Sequence, residues 1–376
     1  MENPGEQDIT FKETIILAAG VIVFFVLRLF FISVPLDPFE RLFAGTAAGI
    51  MSGKTPYLDF PNTAGPFAIY IYKIIFENIG KSTEAVRLFA VLYTGAAALV
   101  LYIFTRNEKR AAVSFAAFFI YLAASFNYNF CGINAGPEIF VHIPFLFAVI
   151  FLSDIEKEYE KAGYMIAGIF MGISALTTHI IWPALMVPFI FIAVNGKSKK
   201  EKTVYSLWYF GGVIITAAAA LGWAVYNGNL KAFMELYFIF NINEYIRTGF
   251  GPGHYSRIRD LAAVSPVFLP GLAVMGYRIF KGSYHPYMFY VFFFSLFITA
   301  GIVCAKNPRP DSFMAVVPVL AYSGAFFAGE IMRFFKNRRR GVFFAYLFVL
   351  VSTGLLFYTA DTKELFRTLQ CAFPGS

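Results

Sequence analysis

The sequence predicts an all-α polytopic membrane protein with about eleven transmembrane helices and a long first external loop bearing interfacial amphipathic helices. Three observations carry that prediction. Hydrophobic residues make up 58% of the 376 and charged residues only 14%, against about 45–50% and about 25% in soluble domains. So few charges cannot cover a water-facing surface, and disorder requires the opposite balance. Apolar runs recur along the whole chain, most of them near the about 20 residues that cross a hydrocarbon core. Basic residues cluster between alternate runs, as in cytoplasmic loops. No soluble domain separates from these runs, so 1–376 is read as one membrane domain.

Taken in order, 14–34 is the first span within 1–34. It is read as retained rather than cleaved, because it lacks a basic n-region and a small-residue cleavage site. Arg28 inside it is expected to snorkel outward or pair within the bundle. Residues 35–83 form an external loop. Within it, 38–52 places Phe39, Leu42, Phe43, Ala47 and Ile50 at helical spacing, and 66–79 is largely apolar around Lys73 and Glu77. Both are expected to lie along the interface. A crossing by 65–79 would instead put Arg106, Lys109 and Arg110 outside. Asp37 before Pro38 suits a helix N-cap followed by a first-turn proline.

The central region, 84–226, supplies spans at 84–105, 111–127, 137–152, 162–177, 179–194 and 203–226, the sixth span overall interrupted by Pro183 and Pro188. Pro137 opens one of them, with Glu138 placed to complement the helix dipole. A second long external connection, 227–261, mixes aromatics with Asn241, Asn243, Glu244, Arg247, Arg257 and Arg259. Its aromatic content argues against disorder, and loops of this length are usually functional. The last region, 262–376, holds spans at 262–280, 285–304, 311–332 and 341–360 and a short external tail.

Lys and Arg number 31 and Asp and Glu 23, a formal charge of +8. The excess serves as loop anchors rather than as a nucleic-acid surface. Arg106–Arg110, Lys157 and Lys161, Lys197–Lys202, Arg278 and Lys281, and Lys336–Arg340 all fall on one side when the N-terminus is cytoplasmic. The opposite short connections carry little beyond Lys306 and Arg309, so the C-terminal tail is expected outside. Cys131, Cys304 and Cys371 show no metal-ligand spacing. No cofactor is expected, with a divalent metal left open.

Ionisable groups near membrane depth are costly and mark sites. Under this topology Asp37, Glu40, Asp59, Asn134, Glu138, His179, Lys306, Arg309 and Asp311 share the external face. Each also has a structural reading: a cap for Asp37, a dipole partner for Glu138, an interfacial histidine at 179, headgroup contacts for Lys306 and Arg309.

The run L-D-P-F-E-R-L-F-A-G-T-A-A-G-I-M-S-G-K-T-P-Y-L-D-F at 36–60, then G-P-F-A-I-Y at 65–70 and Arg87, resembles the GT-C superfamily of integral-membrane glycosyltransferases. The branch it most resembles is the bacterial one related to protein O-mannosyltransferases and aminoarabinose transferases. N-A-G-P-E-I-F at 134–140 and A-G-I-F-M-G-I-S-A-L-T at 167–177 extend the likeness. The family's acidic pair is commonly adjacent, whereas Asp37 and Glu40 are separated by Pro38 and Phe39. Thr178-His179 stands where Lys-Gln is usual, and Asp311-Ser312 replaces His-Tyr.

The resemblance implies transfer of a hexosyl or pentosyl group from a polyprenyl-phosphate carrier to a glycan, lipid or protein acceptor of the cell envelope. The site would face outward from a bacterial cytoplasmic membrane, with inversion at the anomeric carbon and no nucleic acid involved. Asp37 is the first choice as base and Glu40 its competitor. Lys306 and Arg309 would stabilise the leaving phosphate, assisted by Arg257 or Arg259. Asn134 and Glu138 would orient substrate, Tyr57 and Asp59 would shape the loop above it, and His179 completes the substrate-binding candidates. A flippase of a lipid-linked sugar and a catalytically inert GT-C-like binding protein are the alternatives. A transporter would show repeats and broken helices at the midplane; here no repeat links the two halves, and the polar residues gather at the outer face.

Overall fold

A computed structural model describes residues 10–106, 111–127, 133–153, 159–246, 252–304, 310–335 and 338–358. These residues are helical almost throughout, with one isolated bridge between Pro56 and Phe60. In chain order the helices are α1 (Phe11–Leu29), α2 (Pro38–Met51), α3 (Pro66–Asn78), α4 (Thr83–Arg106) and α5 (Ala111–Ala124). Next come α6 (Pro137–Phe140), α7 (His142–Ser153), α8 (Glu160–Thr177), a 3-10 turn (His179–Met186), α9 (Val187–Asn195) and α10 (Lys199–Tyr226). Then follow α11 (Leu230–Phe233), a π turn (Met234–Ile239), α12 (Phe240–Ile246), α13 (Pro252–Phe280) and α14 (Pro286–Cys304). A second 3-10 turn (Pro310–Val316), α15 (Val317–Phe334) and α16 (Arg338–Tyr358) close the described chain.

Each predicted apolar run is helical, and the chain is a membrane protein. Among the described residues, five stretches are long and apolar enough to cross a bilayer by themselves: Thr83–Arg106, Lys199–Tyr226, Pro286–Cys304, Ser312–Phe334 and Arg339–Leu356. Ala111–Ala124, Pro137–Ser153, His179–Asn195 and Pro266–Phe280 are shorter apolar helices. Two boundaries are corrected. The first span is Phe11–Leu29, with turns at 30–34. The connection expected at 227–261 is helical over 230–246, and α13 begins at Pro252, because proline suits the first turn of a helix.

Contacts between helix termini show how the bundle alternates. Glu13 near the start of α1 meets Arg106 at the end of α4 at 3.3 Å. Arg278 and Glu330, late in α13 and α15, pair at 2.5 Å, and Tyr284 donates to Asn195 at 2.7 Å. These mark one end of the bundle. At the other, the chain leaving α1 meets the starts of α2, α4 and α6.

Lipid-tail surroundings give no hydrophobic drive between helices, so close packing of small residues substitutes for it. A Cβ on Gly168 would fall 2.1 Å from the Tyr209 carbonyl, and one on Gly212 would fall 2.0 Å from that of Met165. Backbone groups freed by proline must also find partners. Pro144 offers no N–H to the Phe140 carbonyl, and the Tyr93 hydroxyl donates to it at 2.5 Å.

The tightest such contact holds the loop. Gly65 caps α3 with an ordinary φ of −67°, yet a Cβ there would lie 1.8 Å from the Leu176 carbonyl oxygen. Two backbones meet, so neither can yield cheaply. Gly65→Ala is expected to cost at least the about 1–3 kcal/mol typical of overpacking. Gly45→Ala serves as the control, since nothing lies within 4 Å of its Cβ position. Melting temperatures in detergent compare them, and equal values would contradict the expectation.

Candidate active site at one end of the bundle

The spacing D-P-F-E builds a reciprocal cap. Asp37 is the N-cap of α2 with Pro38 in the first turn. The Glu40 N–H donates to Asp37 Oδ1 at 2.7 Å, and the Asp37 N–H donates to Glu40 Oε2 at 2.8 Å. This is the capping box that an acid three residues after a capping side chain forms. The two residues between Asp37 and Glu40 therefore have a structural purpose. Asp37 Oδ2 also accepts from Asn134 Nδ2 at 2.6 Å, across 97 residues of sequence. Asp37 itself remains half-buried.

Glu40 is buried, as is Arg87 from the start of α4. The guanidinium clasps the carboxylate with both terminal nitrogens, Nη1 to Oε1 and Nη2 to Oε2, the latter at 2.7 Å. The Ala135 N–H adds a bond to Oε1 at 2.5 Å. Arg87 further donates to the carbonyls of Ile133 and Pro35, each at 3.1 Å. One buried ion pair thus ties together the chain after α1, the head of α4 and the connection before α6. Burial pushes the Glu40 carboxyl up, against the pull of Arg87 and the two backbone N–H groups. With four donors already on its oxygens, Glu40 is suited to positioning.

Glu138, in the first turn of α6, is buried, and Thr178 Oγ1 approaches its Oε1 at 3.5 Å. His179 is half-buried, edge-on to Trp182 at 6.1 Å. Tyr57 lies buried under the loop in the left-handed region, at φ 67°, which is uncommon for a non-glycine residue. Its hydroxyl donates to the Ala64 carbonyl at 2.7 Å, and its ring meets Phe233 at 5.2 Å. Asn229 donates to the Pro56 carbonyl at 2.8 Å and Asn241 to that of Thr63 at 2.9 Å. The segment around Asn229 and Asn241 therefore packs onto the connection between α2 and α3. Asp59 is exposed and closes its own turn by accepting from the Thr55 N–H at 2.6 Å.

Asp37, Glu40 and Asn134 are thus brought together, and Glu138 follows Asn134 by four residues on the adjoining helix start. Tyr57 and Asp59 organise the loop instead of joining that cluster. Arg257 and Arg259 fall on α13, with side chains outside the described residues, as are Lys306 and Arg309 altogether. Arg87 was absent from the expected site. Its signal was available: an ionisable residue at the head of an apolar run.

The bundle holds two cavities, neither lined by a residue of that cluster. One of about 210 Å³, lined by Phe67, Tyr93, Phe140, Ile143, Phe170 and Thr177 among others, adjoins α6. The other, about 810 Å³, lies between α1, α5, α15 and α16. Its lining is apolar apart from Thr353 and the Tyr346 hydroxyl, so it has no groups for chemistry. Among the described residues no three His, Cys, Asp or Glu side chains gather as metal ligands.

Residues 62–224 match the family model of dolichyl-phosphate-mannose-protein mannosyltransferase. No curated protein is similar enough in sequence to match. Among solved structures, the chain is similar to ArnT from Cupriavidus metallidurans bound to undecaprenyl phosphate. The TM-score is 0.61 at 13% identity, covering 96% of this chain and 73% of that one. It is also similar to the archaeal oligosaccharyltransferase AglB from Archaeoglobus fulgidus in complex with an inhibitory peptide and a dolichol-phosphate. There the TM-score is 0.58 at 14% identity, covering 94% of this chain. The chain spans 56% of the length of that archaeal enzyme. The fold is that of the GT-C superfamily of membrane glycosyltransferases, and residues 62–224 carry the sequence pattern of one of its families.

Proposed function

We propose that this GT-C-type chain transfers a sugar from a polyprenyl-phosphate carrier to a cell-envelope acceptor at the external membrane face. The observation that carries the reading is a half-buried carboxylate, Asp37, held in place by Asn134 and by the Glu40–Arg87 pair behind it. In a single displacement the acceptor hydroxyl oxygen attacks the anomeric carbon as the carbon–oxygen bond to phosphate breaks. The hydroxyl proton passes to Asp37, and the phosphate leaves with the bonding pair, inverting the centre. Lys306 and Arg309, with Arg257 or Arg259, would offset the growing phosphate charge. Asn134, Glu138 and His179 would orient the substrates, while Tyr57 and Asp59 hold the loop above them. No metal is required by these steps.

One observation favours a second reading. Both Asp37 oxygens already accept a hydrogen bond, as in an ordinary cap, which suits an inert binder of lipid-linked sugar. The deciding experiment supplies purified protein with radiolabelled polyprenyl-phosphate sugars and a cell-envelope extract. Label transfer is expected. Binding without transfer would support the inert binder, and movement of the sugar lipid across vesicles without transfer would support a flippase.

Sidedness has its own test. Lys54, at the end of α2, and Lys199, at the start of α10, are both exposed. In a background lacking the native cysteines, Lys54→Cys is expected to react with an impermeant thiol reagent in intact cells and Lys199→Cys is not. The reverse pattern would invert the bundle.

A further inference from the structure

Pro318 lies in the first turn of α15 and has no N–H for the Met314 carbonyl four residues earlier. Met314 is fully buried in the 3-10 turn Pro310–Val316, where an unpaired carbonyl is costly. A side chain supplies the donor. His142 Nε2 lies 2.6 Å from that carbonyl oxygen, across 172 residues of sequence. A carbonyl only accepts, so Nε2 carries the hydrogen. In a neutral ring Nδ1 is then the acceptor, and the Tyr121 hydroxyl, 2.6 Å away, donates to it. Tyr121 and His142 are both buried without exposure. The chain of donors runs in one direction, from Tyr121 through His142 to Met314.

Its location gives it a consequence. His142 follows Glu138 by four residues on the α6–α7 run, and the turn it grips packs against α6 and against the 3-10 turn that begins at His179. That wall carries Glu138, Thr178 and His179. A phenylalanine would fill the same space, so packing alone does not call for an imidazole here. We infer that Tyr121 and His142 are positioning residues for a lipid-phosphate ligand: they pin the turn Pro310–Val316 to the start of α7, directly after α6, and so fix the spacing of the polar wall. The inference rests on the proposed glycosyltransferase reading and adds two residues to it, both remote from the reacting atoms.

The test measures binding of undecaprenyl phosphate in detergent by tryptophan fluorescence, alongside melting temperature. Trp182, one of three tryptophans, sits beside His179 and contributes to the signal. His142→Phe is expected to weaken binding about tenfold, as loss of a buried hydrogen-bond donor would. His142→Gln is expected to restore affinity to within about twofold, because its amide N–H can reach the carbonyl that Nε2 served. Should His142→Phe not fold, Tyr121→Phe removes the donor to Nδ1 that holds the ring in the tautomer and orientation in which Nε2 serves Met314, and so loosens that bond. It is expected to weaken binding about threefold, a fraction of one hydrogen bond. Unchanged affinity in the variant tested overturns the inference. So does a loss that His142→Gln fails to rescue while its melting temperature recovers. If the wild type does not bind undecaprenyl phosphate at all, the lipid-phosphate reading falls and the inference with it, an outcome separate from equal binding by wild type and variants.

Discussion

Asp37→Asn is expected to lower label transfer by about 10²–10⁴-fold, the usual contribution of a positioned general base. The substitution removes the proton acceptor and little else. An asparagine caps helices about as well as an aspartate, and its amide oxygen can keep the bond from the Glu40 N–H that Asp37 Oδ1 now accepts. Asn134 loses one acceptor partner, since an amide has a single oxygen where Asp37 offers Oδ2 as well. The melting temperature should therefore move little while turnover at saturating donor collapses. Transfer that persists undiminished would leave Asp37 with its capping role alone and return the choice of base to Glu40 or to water.

The second large effect is on stability. Arg87→Met is expected to destabilise the protein by about 3–5 kcal/mol, the cost of leaving one member of a buried ion pair uncompensated. The exposures of 3% and 1% for the Arg87 and Glu40 side chains show why solvent cannot substitute for the lost partner. The double replacement Arg87→Met with Glu40→Leu is expected to cost less than the sum of the two single changes, because it removes both charges together. The backbone bonds from Arg87 to Pro35 and Ile133 are lost in either case, so the double variant should still lie below wild type. Thermal denaturation in detergent across this cycle decides the matter. Additive losses would mean the pair contributes no coupling. Transfer should fall in both variants, since Asp37 and Asn134 sit on the two segments that Arg87 joins.

The helical runs were legible because a bilayer leaves an apolar helix few alternatives. α4, α10 and α14 appear within a few residues of where hydropathy places them. The helices α2 and α3 were legible from the periodic apolar stripe after Pro38 and the Gly-Pro start at 65–66. The segment 230–246 was not: its polar residues look like a loop, yet Asn241 within it and Asn229 just before it donate to carbonyls of the connection between α2 and α3. In the site, Asp37, Glu40 and Asn134 were named from topology and do converge. Arg87 stood alone at the head of a span, and nothing local in the sequence pairs it with Glu40, 47 residues away. The family pattern begins at residue 62, so it leaves the acidic cluster of α2 to be read from its own geometry.

The sequence by itself determined that this chain lives in a membrane and that its backbone is helical. Those properties follow from summed composition and from periodicity, which are local and survive without knowing any partner. Only the tertiary structure decided which of two neighbouring carboxylates is buried in an ion pair and which is left half-buried. Glu40 is clasped by Arg87 and Ala135, while Asp37 meets Asn134 at the edge of the cluster. In a dry interior a charge is governed by the groups within a few ångströms of it, and folding, not sequence order, determines which groups those are.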